Sequence, residues 1–197
     1  MNLVNIGIEE FKKIVYPEYV SIFPKEERKE FKVLEDNFNK KITRFIKICE
    51  NDIFVGFFII NTTEKNQYIQ LDYFAILEKY QNKGYGSKAI QILAEQIKKY
   101  NGIFVEVEKI GLGKNEQDNQ LRERRVKFYE NLGFKKLNFD LKWYGSLILS
   151  VYLLSTAIHK DNENEILKNM FNIYNAAHGK EKVERDCKVI KKKEEKE

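Results

Sequence analysis

The chain has few of the residues from which covalent cross-links and metal sites are built. Its 197 residues include two cysteines, Cys49 and Cys187, and two histidines, His159 and His178. A disulfide framework needs several cysteine pairs, and a structural zinc site needs four Cys or His ligands at characteristic spacings. We therefore expect neither a disulfide-stabilised fold nor a Cys/His metal site, and no metal cofactor is implied.

The chain also lacks a strong excess of one charge and any long apolar run. It carries 35 Lys and Arg against 30 Asp and Glu, and its longest basic run, residues 191–193, is followed by two glutamates. Nucleic-acid-binding proteins usually cluster their basic residues, so these charges argue against nucleic acid as the main partner. No run is long enough to span a membrane, and the first residues do not resemble a signal peptide, so a cytoplasmic location is expected.

Aromatic and apolar residues are plentiful enough for a substantial core. Hydrophobic residues make up 43% of the chain, with 14 Phe and 11 Tyr, and a chain of this length suits one domain. No internal repeat or Pro/Ser-rich linker divides it. Charges of both signs dominate after Gly179, so we predict one domain over residues 1–179 and a charged, solvated tail over residues 180–197.

Hydrophobic periodicity predicts alternating strands and helices. After a first strand, the chain should be helical, with a break at Pro24. "ITRFIKICEN" and "DIFVGFFIINTT" are expected to form a hairpin, and "QYIQLDYFAIL" a third strand. A helix follows "QNKGYG" and is predicted to stop at Gly102. The next strand, "IFVEVEKI", completes a βαβ unit with a parallel strand pair and a right-handed crossover.

The rest of the chain is predicted to hold two more helices and two more strands. "EQDNQLRERRVKFYENLGF" is typical of a charged helix that ends at Gly133. Two β-rich runs, "FKKLNFDLKWYG" and "SLILSVYLLSTA", then precede a helical "NEILKNMFNIYNAAH". The last strand and helix could pair two chains as a homodimer.

The stretch "QNKGYG", residues 81–86, places a run of backbone amides at the start of a helix. A helix N-terminus has unsatisfied N–H groups and a partial positive charge, so a diphosphate would fit there. A tight turn without a ligand would use the same glycines. The stretch is not a P-loop, because Tyr85 rather than Lys follows Gly84, and it lacks the third glycine of the dinucleotide-binding fingerprint.

Gln81-x-x-Gly84-x-Gly86 after a strand, followed one βα step later by "KFYENLGF", resembles the GNAT superfamily of N-acetyltransferases. The resemblance covers residues 42–135. It implies an α/β fold with a mixed, centrally splayed β-sheet flanked by helices on both faces. It also implies that main-chain amides of the loop bind the pyrophosphate of acetyl-CoA, through Gln81, Asn82, Lys83, Gly84, Tyr85, Gly86 and Ser87.

The same resemblance gives roles to the strand "LDYFAIL". It implies that this strand splays from its neighbour and that Phe74, Ala75 and Ile76 bind the pantetheine arm of acetyl-CoA. The amide of Phe74 would point at the thioester carbonyl, where a donor stabilises the developing oxyanion. The side chains of these residues are expected to pack in the core without a role in catalysis.

An amine acceptor must lose a proton before it attacks a thioester, so a carboxylate or an ordered water is needed nearby. Where some members of the family carry a glutamate base, this chain has Gln70, which cannot accept a proton. Asp72 lies on the same face of the strand and is the first candidate, with Glu106 on the next strand second. Either carboxylate could instead serve a structural ion pair or hydrogen-bond network.

The resemblance places Tyr129 beside the sulfur of CoA, where its hydroxyl would protonate the leaving thiolate. The alternative is that Tyr129 is an aromatic core residue. Arg122, Arg124, Arg125 and Lys127 precede it, and we interpret this cluster as a solvated helix face rather than as ligands for CoA phosphates.

These residues together predict an enzyme that moves an acetyl group from acetyl-CoA to a primary amine by direct attack. The competing hypothesis is a GNAT-like module that binds acyl-CoA as a sensor or scaffold without turnover, which the missing glutamate supports and Tyr129 opposes. The acceptor is not identified by the sequence.

Overall fold

The computed structural model describes residues 1–156 and 162–191. Its described strands form one sheet in the order β1-β2-β3-β4-β5-β7-β6-β8. Among the described strands, only β4 and β5 are parallel; the other neighbouring pairs are antiparallel. The strands are β1 Asn2–Ile6, β2 Thr43–Glu50, β3 Ile53–Asn61, β4 Tyr68–Ile76, β5 Gly102–Glu108, β6 Lys135–Trp143, β7 Leu147–Ser155 and β8 Cys187–Lys191.

Apart from the last helix, the helical segments agree with the predicted order of elements. They are α1 Ile8–Glu10, α2 Tyr16–Ile22, α3 Phe31–Asn39, α4 Tyr85–Gln96, α5 Glu116–Asn131, α6 Glu163–His178 and α7 Lys180–Asp186; a π-helical segment, Phe11–Val15, joins α1 to α2, and a 3₁₀ turn, Glu78–Tyr80, precedes the glycine loop. The predicted break at Pro24 is confirmed, because the backbone is already extended at Phe23.

The predicted helix stop at Gly102 is wrong. Helix α4 ends at Gln96, and Gly102 is the first residue of β5. A Cβ atom at Gly102 would lie 2.6 Å from the carbonyl oxygen of Leu154 on β7. The glycine is therefore needed for the close approach of two strands rather than for a helix end.

Helices cover both faces of the sheet, as predicted. Helices α4 and α5 pack on the face that carries Ile69 and Ile103. The opposite face packs against α6 through Tyr68 and Phe104, and against the N-terminal helical segments farther along the sheet. Neighbouring residues of β4 and β5 thus enter different cores, as the alternation of side chains along a strand requires.

The parallel pair β4–β5 is splayed. The two strands pair at only three positions, the last of which joins Gln70 to Phe104. Strand β4 continues to Ile76, and beyond Gln70 it pairs with β3 alone. The predicted mixed, centrally splayed sheet is therefore confirmed.

The prediction of a solvated tail after Gly179 is wrong for residues 180–191. They form α7 and β8, and β8 pairs with β6 over five residues. Val183 and Cys187 are buried in the core beneath α6. The charged residues between them face outward. The high content of charged residues therefore led to the prediction of a tail where the chain forms an amphipathic helix and an edge strand. Residues 192–197 of the predicted tail lie outside the described residues.

Within the described part of the chain, no helix is long and apolar enough to cross a membrane.

Candidate active site

The backbone of β4 faces an open gap beyond the splay. Leu77 N–H donates to Val55 O at 2.9 Å, so Leu77 occupies a hydrogen-bonded position opposite β3. Such positions alternate along an antiparallel ladder. Phe74 and Ile76 therefore turn their backbone N–H and C=O groups away from β3, towards the side on which β5 has already diverged. A main-chain donor and acceptor are thus presented to the gap.

The other predicted groups of this strand differ in their surroundings. Ala75 is the register partner of Phe57 at a hydrogen-bonded position of the ladder, so its backbone groups serve the sheet. The carbonyl of Ile76 accepts a hydrogen bond from Gln81 Nε2 at 2.9 Å, which ties the glycine loop to the end of β4. The Phe74 ring is a core side chain, as expected, and stacks on Phe58 with 4.7 Å between ring centroids.

The loop over residues 81–87 exposes amides at the start of α4. Asn82 and Gly84 both have left-handed backbones, with φ of 60° and 77°. The first hydrogen bond inside α4 runs from Lys88 N–H to Gly84 O. The N–H groups of Tyr85, Gly86 and Ser87 therefore have no partner within the helix. These amides and the positive end of the helix dipole can bind an anion.

The two glycines of the loop are needed for different structural reasons. A Cβ atom at Gly84 would meet no atom within 4 Å, whereas one at Gly86 would lie 3.4 Å from the Phe128 ring and 3.5 Å from the Phe74 ring. Gly84 allows the left-handed turn, and Gly86 lets α4 approach two aromatic rings. Lys83 turns back, donating to the carbonyl of Lys79 at 3.1 Å.

Tyr129 lies on α5 with 6% of its surface exposed. Its ring packs edge-on against Phe128 and Phe134, at 5.2 and 5.1 Å between centroids. Burial raises the pKa of the Tyr129 hydroxyl to about 12, and the charge of Arg125 offsets this only in part. The hydroxyl is therefore protonated at neutral pH, so the residue combines a core ring with an available proton.

A buried polar network brings the three candidate base positions together. Asn61 Nδ2 donates to Gln70 Oε1 at 3.0 Å and to Asp72 Oδ2 at 2.9 Å, and Asn61 Oδ1 accepts from Thr43 at 2.6 Å. Gln70 Nε2 then donates to Glu106 Oε2 at 2.6 Å. The sequence interpretation missed Asn61; its only signal was a polar residue that ends the apolar run "FVGFFII".

The two candidate carboxylates have different partners. Asp72 is the unpaired residue where the β3–β4 register shifts, and it forms an ion pair with Lys29. Burial raises the pKa of Glu106, and its hydrogen bond from Gln70 offsets this in part. The buried Tyr174 hydroxyl lies close enough to affect that pKa but has no hydrogen bond of ordinary geometry. A raised pKa suits a proton acceptor, and the Asp72 carboxylate is already paired with Lys29, so Glu106 becomes the first candidate for the base.

The basic cluster on α5 was interpreted as a solvated helix face, and for Arg122 this interpretation is wrong. Arg122 is 7% exposed, and its guanidinium binds Glu108 at 2.9 Å, Asp118 at 3.1 Å and the Lys109 carbonyl at 3.0 Å. Arg125 also reaches Glu108, at 3.3 Å. Arg122 therefore links α5 to the end of β5 through an ion pair and hydrogen bonds. Across residues 1–156 and 162–191, no three His, Cys, Asp or Glu side chains are arranged to hold a metal ion.

Comparisons with known proteins bear on the family and the fold. The family model described as "Acetyltransferase (GNAT) domain" matches residues 31–136. A GNAT-family acetyltransferase structure from Bacteroides thetaiotaomicron is 18% identical, with a TM-score of 0.69, covering 91% of this chain and 99% of that one. The ribosomal-protein-S18-alanine N-acetyltransferase of Escherichia coli is 16% identical, with a TM-score of 0.59 and coverage of 82% and 97%.

A Bacillus subtilis acetyltransferase in complex with CoA is 12% identical, with a TM-score of 0.53, covering 78% of this chain and 96% of that one. At these identities the likenesses show a shared fold. The comparison with curated proteins gave no significant match.

Proposed function

The chain belongs to the GNAT family of acyl-CoA-dependent N-acetyltransferases, and from this premise we propose that it transfers acetyl from acetyl-CoA to a primary amine by direct attack. The observation that carries the proposal is the splay of β4 from β5. It leaves the backbone of Phe74 facing a gap that leads to the exposed amides at the start of α4. A thioester in the gap and a diphosphate at the helix would be held by main-chain groups.

The proposed cosubstrate site runs from the glycine loop to the middle of β4. The pyrophosphate would lie on the amides of residues 82–87, and the pantetheine arm would follow Ala75 and Ile76. Gln81 would keep the loop tied to the strand through its bond to the Ile76 carbonyl. The Phe74 N–H would donate to the thioester oxygen as negative charge develops there.

The proposed chemistry uses two side chains on opposite sides of the gap. Glu106 would take a proton from the acceptor ammonium, directly or through one water, and the free amine would attack the thioester carbon. As the tetrahedral intermediate collapses, the nitrogen would lose its second proton to solvent and the C–S bond would break. Tyr129 would protonate the departing thiolate and regain its proton from solvent. Its ordinary hydroxyl pKa is about 10 and is raised further here, so the proton is present at pH 7.

The cosubstrate site is tested by Gly84→Val, because a side chain there would intrude where the diphosphate approaches. Gly145→Val is a matched control. Both glycines are exposed, both have a positive φ, 77° and 76°, and a Cβ atom at either would meet no atom within 4 Å. Calorimetry should show weaker CoA binding in Gly84→Val and near wild-type binding in Gly145→Val. Equal affinities in the two folded variants would contradict the loop assignment.

The acceptor is tested by measuring CoA release from acetyl-CoA across classes of amine. The structural neighbour from Escherichia coli is named for the alanine of a ribosomal protein, so a peptide N-terminus belongs in the panel, together with polyamines, aminoglycosides, amino acids and lysine peptides. We expect turnover with at least one class. Tight CoA binding without turnover on any amine would favour the sensor or scaffold hypothesis.

A further inference from the structure

Residues 23–30, between α2 and α3, fold back over the side of β4 that carries the polar network. Hydrogen bonds to two tyrosines help to hold this segment: Tyr73 Oη donates to the Glu27 carbonyl at 2.7 Å, and the Lys29 N–H donates to Tyr19 Oη at 2.7 Å. The hydroxyls of Tyr19 and Tyr73 belong to residues that pack edge-on in the N-terminal core. The backbone of Lys29 is therefore held at one place above the strand.

The side chain of Lys29 reaches into the site. Its ammonium pairs with the carboxylate of Asp72 and lies 5.7 Å from the centre of the Tyr73 ring. Only 15% of the Lys29 side chain is exposed, and its charge is close enough to influence the pKa of Glu106. A carboxylate and an aromatic face are the groups that bind an ammonium. A primary amine of the protein thus already occupies the place beside Asp72, one of the two candidate bases.

The amine is also within reach of the proposed thioester position. Phe74 follows Asp72 by two residues on β4, which is about 7 Å along a strand. Lysine has a flexible four-carbon stem, so its nitrogen can cross this distance while the backbone stays in place. A rotation of the Lys29 side chain from Asp72 towards Phe74 would bring its nitrogen to an acetyl group held there.

We propose that Lys29 is a modification site, acetylated by the active site of its own chain; this inference rests on the proposed function. The ammonium passes one proton to Asp72, and the free nitrogen attacks the thioester carbon of acetyl-CoA. A C–N bond forms and the nitrogen loses its second proton to solvent. The C–S bond breaks, and the thiolate takes a proton from Tyr129, which regains one from solvent. The products are N-acetyl-Lys29 and CoA. Because the amide carries no charge, the ion pair with Asp72 is lost.

Lys32 gives an internal control for uncatalysed acetylation. It lies three residues further on, at the start of α3, with 71% of its side chain exposed. Its ammonium pairs with Glu35 and Asp36 at the surface, not with the carboxylates of the site. If exposure alone governed reaction with acetyl-CoA, Lys32 would react faster than Lys29.

The experiment incubates the full chain with acetyl-CoA and measures acetylation of both lysines by peptide mass spectrometry over time. We expect up to one acetyl group on Lys29 per chain, at a rate about 10²-fold above that of Lys32 and independent of protein concentration. Tyr129→Phe should slow acetylation of Lys29 and leave that of Lys32 unchanged. Lys29→Arg should lower the total by one acetyl group per chain, whereas Lys32→Arg should not.

Calorimetry with acetyl-CoA on the same protein separates the two ways to fail. A chain that binds acetyl-CoA but acetylates Lys29 no faster than Lys32 overturns this inference and leaves the proposed function standing. A Lys29 rate that rises with protein concentration also overturns it, because transfer would then occur between chains. A chain that does not bind acetyl-CoA overturns both.

Discussion

The two sides of β4 are built on different principles. On the side of α4 and α5, the proposed acetyl-CoA site consists of main-chain groups: the Phe74 amide and the amides of residues 82–87. On the opposite side, the proposed acceptor end consists of side chains from several elements, joined through Asn61. A main-chain site needs only the right backbone path, so it tolerates many side chains. A side-chain network depends on every member having its partner.

The two sides also differ in their charges. Tyr129, on the first side, keeps its proton because burial raises its pKa. The second side holds the carboxylates of Asp72 and Glu106 with the ammonium of Lys29, and burial there shifts Glu106 and His178 in opposite directions, each towards its neutral form. Proton donation and proton acceptance are thus assigned to opposite sides of one strand.

The largest expected effect comes from removing the proton donor. Tyr129→Phe keeps the ring in its aromatic cluster and loses only the hydroxyl, so turnover should fall about 10²- to 10⁴-fold, the usual contribution of general acid catalysis. CoA affinity and thermal stability should stay near wild type. Tyr152→Phe is the control, because Tyr152 is buried in the same core but lies on β7. Full turnover in Tyr129→Phe would remove Tyr129 from the mechanism.

A second comparison distinguishes the two carboxylates. Because burial raises the pKa of Glu106 above its ordinary value of 4.5, the low-pH limb of kcat/KM should lie above that value. Glu106→Gln should lower kcat/KM about 10²-fold and abolish the limb. Asp72→Asn should keep the limb, since Asp72 is paired with Lys29. Loss of the limb in Asp72→Asn alone would make Asp72 the base; no change in either variant would favour deprotonation by solvent.

The acceptor side should also give the protein a pH-dependent stability. Burial and the nearby Lys29 and Lys182 lower the pKa of His178 from 6.5 to about 4, and Asp72 opposes them. Between pH 6.5 and 4 the unfolded chain therefore binds more protons at this position than the folded chain. Stability is full above pH 6.5 and should fall by up to about 3 kcal/mol as the pH drops to 4.

His178→Gln tests this contribution, because glutamine does not titrate. The difference in free energy of unfolding between wild type and variant, measured by urea denaturation, should change across pH 4 to 6.5 and stay constant above it. A difference that is constant over the whole range would show that His178 titrates alike in both states.

The smallest effect concerns the C-terminal segment beneath the acceptor side. Val183 is fully buried, so Val183→Ala should lower the free energy of unfolding by about 2 kcal/mol. Glu181→Ala, on the exposed surface of the same helix, should change it by less than about 0.5 kcal/mol. Equal stabilities of the two variants would restore the solvated-tail prediction for this stretch.

The sequence interpretation was accurate where the interacting residues are close in sequence and failed where they are far apart. The glycine loop and the βαβ unit were predicted from patterns within short stretches, and the splayed strand was implied by the family resemblance that those stretches carry. The prediction that helix α4 stops at Gly102 failed because this glycine is needed for close contact with β7, which is far away in sequence. The prediction of a solvated tail failed because the content of charged residues does not reveal that Val183 and Cys187 are buried in the same core.

By itself, the sequence determined the order of elements, the family and the loop of amides, since local periodicity and the pattern Gln81-x-x-Gly84-x-Gly86 are enough to specify a backbone path. Only the tertiary structure decided which side chains meet at the acceptor end. Lys29 reaches Asp72 across 43 residues, and Gln70 reaches Glu106 across 36. Contacts at such separations depend on strand register and on how helices pack, and no local pattern of residues encodes either.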